Sequence, residues 1–126
     1  MSTPKANDES PKKTFSLKSD KNRSFNLDIQ NKKSSIYIYA FTQTDIQKND
    51  FDKDFSLKDL KENKYFSLFD SIDEIYEEII NIISTKTSEV KILEEKNIII
   101  INIPIGGFKI KEILLTLNEK EKDEKQ

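Results

Sequence analysis

The chain contains no histidine, no cysteine and no tryptophan, and its only two glycines, Gly106 and Gly107, are adjacent. Without imidazole or thiol, the commonest general base, the thiolate nucleophile and nearly every transition-metal site are excluded. Two neighbouring glycines cannot build the spaced glycine loops that cradle phosphates. The absence of cysteine also excludes a disulfide scaffold. No apolar run approaches the ~20 residues of a membrane-spanning helix, and the N-terminus lacks the apolar stretch of a signal peptide. The expectation is a soluble cytoplasmic protein that makes no membrane contact, with the nucleus an open alternative. The chemistry left is carboxylates, lysines, a single arginine (Arg23), hydroxyls and amides. Carboxylate-only enzymes exist, but this inventory favours a binding or structural role. We therefore expect no enzyme activity, no catalytic residues, no cofactor and no metal.

What is present is a chain of 126 residues, long enough for one domain with a real core. Charged residues make up 35%, against about 25% in ordinary domains. The net charge of −2 argues against a broadly basic nucleic-acid binder. Its distribution is uneven. Residues 1–34 hold eight Lys/Arg and four Asp/Glu, a balance of +4, so the remainder carries −6. Nucleic-acid binding is thus expected, at most, weakly from the basic N-terminal tail.

Residues 1–13, MSTPKANDESPKK, carry two of the three prolines and no large apolar residue beyond Met1, a composition that cannot offset its own ordering entropy. They are read as a disordered tail, residues 14–118 as one domain and residues 119–126 as a charged C-terminal tail. Within the domain, period-two alternation marks strands at Phe15/Leu17, at Phe25/Leu27/Ile29 and at Ile36–Phe41. In the last, Ile36, Ile38 and Ala40 point one way and Tyr37, Tyr39 and Phe41 the other. With both faces apolar it should lie inside the sheet. The polar, aspartate-rich stretch Thr42–Asp54 reads as a long loop. Ser56 with Asp59 opens a short helix. Ser71 with Glu74 is a capping box for a helix whose stripe is Ile72, Ile75, Tyr76, Ile79, Ile80 and Ile83. Strands return at Val90/Ile92, at Ile98–Ile105 and after Gly106-Gly107. That pair reads as a two-residue hairpin turn setting Ile105 opposite Phe108 and Ile103 opposite Ile110. A β-bulge near Lys111–Glu112 would then keep Glu112 out of the core by matching Ile101 with Ile113. The uncharged strand Ile98–Ile103 should be central, since it would aggregate at an edge. The fold class is therefore α+β: an antiparallel sheet of about six strands, with a short helix and an amphipathic helix inserted between strands 3 and 4 and packed on the sheet.

The candidate motifs are weak as chemistry. Asp70, Asp73, Glu74, Glu77 and Glu78 could form a cation site or a carboxylate pair, but as a solvated first turn they suit the positive end of a helix macrodipole. Gly106-Gly107 with Lys109 and Lys111 leads into a strand, not a helix N-terminus, so it is no phosphate loop. Ser10 in Ser10-Pro11-Lys12-Lys13 matches a proline-directed phosphorylation site. Thr42-Gln43-Thr44 matches a strand-adding segment but follows a strand directly. Tyr37, Tyr39 and Phe41 could stack single-stranded bases, but the aspartates beside them would repel phosphates.

The run Phe55–Ile80, FSLKDLKENKYFSLFDSIDEIYEEII, with the strands VKIL, NIIIINIPI and FKIKEILLTL, resembles a segment of small proteins from AT-rich protist genomes and brings no known activity with it. The layout of strands, helical insert, three strands and a charged extension is similar to the head domains of centriolar cartwheel proteins and end-joining repair scaffolds. There the head self-associates or docks partners. The likeness is architectural and implies a protein–protein interaction or scaffold module, with a protein partner or a second copy. The contacts expected are the edge strand at Phe15 and Leu17, and Tyr37, Tyr39 and Phe41 if the helix leaves their face open. The rival readings are a nucleic-acid-associated protein using the basic tail and a carboxylate-based hydrolase.

Overall fold

The computed structural model describes residues 12–42, 50–107 and 110–120. Its strands are β1 (Lys12–Lys18), β2 (Ser24–Asn31), β3 (Ser35–Thr42), β4 (Asp50–Ser56), β5 (Lys91–Glu95), β6 (Ile98–Pro104) and β7 (Glu112–Glu119). They form one antiparallel sheet in the order β1-β2-β3-β4-β7-β6-β5. Helices α1 (Leu57–Lys61) and α2 (Ile72–Thr85) lie between β4 and β5, with 3-10 turns at Lys64–Phe66 and Thr87–Glu89. The protein is an α+β domain, as the switch in hydrophobic period implies, but with seven strands and with the helices inserted after the fourth.

The additional strand is β4, which occupies part of the expected loop. Its sequence DFDKDFS alternates, but the alternate residues are charged. Phe51 and Phe55 are buried, while Asp52 and Asp50 accept hydrogen bonds from the hydroxyls of Tyr37 (2.7 Å) and Tyr39 (2.8 Å) on β3. Cross-strand partners thus turn a polar-looking segment into a paired strand.

One apolar row runs around the inner face. Leu27 pairs with Ala40 and Ile29 with Ile38; across β6 and β7, Ile99 pairs with Leu117 and Ile101 with Leu115. All of these side chains are buried. β6 lies between β5 and β7, so its uncharged stretch is covered on both sides. The turn after it differs from the expected one. Ile103 pairs with Ile113 and Pro104 with Glu112, and both Ile105 and Gly106 donate to the carbonyl of Lys111. This wider loop already puts Glu112 on the outer face, so the bulge has no work to do and does not occur. The proposed pairing of Ile105 with Phe108 involves a residue outside those described. Gly106 has φ +68°, and a Cβ on Gly107 would lie 2.4 Å from the carbonyl oxygen of Ile110. The Gly-Gly pair therefore serves a left-handed conformation and a close approach at successive positions.

Both helix starts are capped. Ser56 and Asp59 form a reciprocal box. Ser71 accepts from the Glu74 amide, but the Glu74 carboxylate accepts from the Asp70 amide, one residue upstream of the cap. α2 buries Ile72, Ile75, Tyr76, Ile79, Ile82 and Ile83, and Ile80 is half-buried. It lies on β2 and β3, anchored by Asn31 donating to Asp73 at 2.8 Å. The hydroxyl of Thr87 donates to the carbonyl of Ile83 at 2.7 Å, satisfying a free acceptor at the helix end.

Candidate interaction surface

The geometry of the sheet decides which edges a partner can reach. Seven strands in unbroken antiparallel succession leave the outermost two, β1 and β5, parallel to each other. When such a sheet curls, its edges meet as a parallel pair. Here that pairing shrinks to one bridge, Ser19 to Ile92, with the Asp20 amide donating to the Ile92 carbonyl at 2.8 Å. Side chains complete the seam. Glu94 accepts from Ser19 Oγ at 2.5 Å, from Arg23 Nε at 3.1 Å and from Arg23 Nη2 at 2.7 Å. Asp20 Oδ1 accepts from the Glu94 amide at 3.0 Å. Burial raises the pKa of Glu94, but its bonds to Arg23 and Ser19 outweigh that and hold it below the usual carboxylate range. The bond to Glu94 correspondingly raises that of Arg23.

In an antiparallel ladder, alternate residues direct N–H and C=O to one neighbour and the intervening residues to the other side. The bond from Ser19 N to Arg23 O places the odd-numbered residues of β1 against β2. The N–H and C=O groups of Lys12, Thr14 and Ser16 therefore face outward, and among the described residues no strand pairs with them. By the same reasoning the outward groups of β5 are those of Ile92 and Glu94, and of these the Ile92 carbonyl and the Glu94 amide are bonded to Asp20. One edge is clamped and the other is open from Lys12 to Ser16. A cleft of about 570 Å³ adjoins its far end, between Ser16–Asp20 and Thr87–Lys91.

A second discontinuity lies between β4 and β7, which pair only at Phe51–Glu119 and Asp52–Asn118. Beyond that point α1 stands beside β7, and Leu114 is 46% exposed.

Of the expected contacts, Leu17 is only 4% exposed and belongs to the core, so this strand offers its backbone and not that side chain. Phe15 is half-buried, packed against the rim of the core. Tyr37, Tyr39 and Phe41 are half-buried on the outer face, opposite the face on which α2 packs. Phe41 stacks on Tyr39 with ring centroids 5.1 Å apart, and the ammonium groups of Lys32 and Lys120 lie over Tyr37 and Tyr39. Burial and the bond to Asp50 push the Tyr39 phenol up to about 12, and burial with the bond to Asp52 raises Tyr37 further. The hydroxyl of each tyrosine is thus held by a carboxylate, and its ring lies under an ammonium group. Ser10 lies outside the described residues.

The acidic start of α2 is largely engaged. Asp73 accepts from Asn31, Glu74 from the Asp70 amide and Glu78 from the Tyr65 hydroxyl. Beside it Leu68 is 87% exposed. Among the described residues no three carboxylates stand close enough to hold a metal ion, and no helix is long and apolar enough to cross a membrane. Sequence reasoning missed the Ser19–Arg23–Glu94 clamp. Its members are up to 75 positions apart, and the one local signal is that Arg23 is the sole arginine.

Comparison with protein-family models, with curated proteins and with solved structures finds no match for this chain.

Proposed function

We propose that the chain is a non-catalytic protein–protein interaction module, and that it engages an extended segment as an added strand on β1. The observation that carries this reading is the difference between the two outer edges. On β5 the Ile92 carbonyl and the Glu94 amide are bonded to Asp20 and the seam is fixed by Glu94, whereas no strand among the described residues pairs with the outward N–H and C=O groups of Lys12, Thr14 and Ser16. Strand addition satisfies such groups directly. The aromatic outer face of β3 is a secondary contact. The engagement of the α2 carboxylates as acceptors for Asn31, Asp70 and Tyr65 supports a structural use of those acids over a hydrolytic one.

The test uses Thr14→Pro. The Thr14 amide points away from β2, so proline removes no ladder bond but blocks an incoming strand. Affinity capture from cells is run with wild type and variant, alongside light scattering over a concentration series. Proteins retained by wild type and lost by the variant, or self-association lost by the variant, are the expected result. Capture and association identical in both would refute the reading, as would a wild-type monomer that retains nothing.

A further inference from the structure

Strand addition alone does not say whether the arriving strand is another protein's or β1 of a second copy. Resting on the reading of β1 as the contact edge, we infer that it takes an acidic, apolar-anchored segment of a different protein and rejects its own copy.

The argument is one of charge and register. β1 is KKTFSLK, with three lysines and no carboxylate. Lys13, Phe15 and Leu17 line the inner face; Lys12, Thr14, Ser16 and Lys18 line the outer. A two-fold pairing of β1 with a second β1 centred on Phe15 joins Phe15 to Phe15 but sets Lys12 opposite Lys18 at both ends. Centred on Thr14, it sets Lys13 beside Phe15 and still gathers six lysines in one short ribbon. Directly opposed like charges destabilise a strand pair, and edge lysines are a general device against self-pairing.

The nearby carboxylates do not relieve this. Asp28 lies 3.9 Å from Lys12 but belongs to β2, where it accepts from Thr14 Oγ1. Asp20 is bonded to the Glu94 amide, and Glu94 is held by Arg23. A strand with an apolar residue beside half-buried Phe15, and acids two positions away on the same face, reverses the sign at Lys13. Where it leaves β1 it enters the cleft lined by Lys18, Lys91, Thr87 and Ser88, with Asp20 the one acid there. An acidic residue at that end meets two ammonium groups and the Ser88 hydroxyl, the Thr87 hydroxyl being committed to the Ile83 carbonyl.

The probes are two end-blocked peptides of alternating valine and charge, one with glutamate and one with lysine. Each is titrated into the 126-residue chain while the Thr14 and Ser16 amide resonances are followed. We expect the glutamate peptide to bind about tenfold or more tightly than the lysine peptide, to weaken with salt and to be lost in Thr14→Pro. The variant Lys13→Glu/Lys18→Glu should invert the preference. Equal binding of both peptides would overturn the inference, as would a wild-type dimer abolished by Thr14→Pro. Either result leaves β1 as the contact edge. Cellular capture insensitive to Thr14→Pro, with neither peptide shifting these amides, would remove the edge reading itself.

Discussion

Replacing Glu94 by alanine removes the carboxylate on which Ser19 and Arg23 converge across the two outer edges of the sheet. The glutamate side chain is 9% exposed and that of Arg23 34%. Hydrogen bonds to a charged group are worth about 1.5–3 kcal/mol where the partner stays dry. Water reaches Arg23 once the acid is gone, which reduces that part to about 1 kcal/mol. Ser19 is 7% exposed, and its hydroxyl loses its acceptor; an unsatisfied buried donor adds about 1–2 kcal/mol. The expected loss is therefore about 2–3 kcal/mol, read by urea denaturation. A double-mutant cycle with Arg23→Ala should show a coupling of about 1 kcal/mol.

The pH dependence checks the same reasoning. The folded pKa of Glu94 lies below its unfolded value, which is about 4.3. Its contribution is thus fully present above that value and is lost as pH falls through the folded pKa. The gap between wild type and Glu94→Ala should close in strong acid. A coupling within about 0.3 kcal/mol of zero, or a gap unchanged between neutral and strongly acidic pH, would show that the seam is held by the backbone bridge and the Asp20 carboxylate without the Glu94–Arg23 pair.

Thr14→Pro should cost under about 1 kcal/mol, because its amide makes no ladder bond, whereas Phe15→Pro breaks one and should cost about 3 kcal/mol or more by the same denaturation assay. Gly107→Ala forces a Cβ against the Ile110 carbonyl and should destabilise by about 1–3 kcal/mol, measured as a fall in melting temperature. The Tyr39 phenol should titrate near 12 by ultraviolet absorbance. Because its folded pKa is raised above the unfolded value of about 10, stability is complete below that value and falls as pH rises towards 12.

The parts of the fold legible in the sequence are those where local pattern and tertiary environment agree. Ile36, Ile38 and Ala40 alternate with aromatics, and β3 is an inner strand. The stripe from Ile72 to Ile83 is helical despite β-branched residues, because the Ser71 cap and the period both oppose strand. β4 was not legible: Asp50, Asp52 and Asp54 look like solvent-facing loop residues until Tyr37 and Tyr39 are placed beside them. The spacing of Phe51 and Phe55 was the only trace of its inner face. The turn at Gly106-Gly107 was placed correctly, but its width depends on the close approach of Ile110, which no local pattern records.

The edge site was half legible, and the missing half follows from topology. The shortness of the Phe15–Leu17 segment and its lysines marked an outer strand. Which groups it exposes required the register with β2, and whether they stay exposed required knowing where β5 comes to lie. With an odd number of antiparallel strands the closing pair is parallel, and its evenly slanted bonds form only where the two strands run side by side. β5 spans five residues and β1 seven, and they meet at the end of one and the start of the other. Closure at Ser19 and Ile92 therefore leaves the outer side of the first part of β1 without a partner strand among the described residues. The clamp built on Glu94 fixes the closed end in place, at the end of β1 away from Lys12.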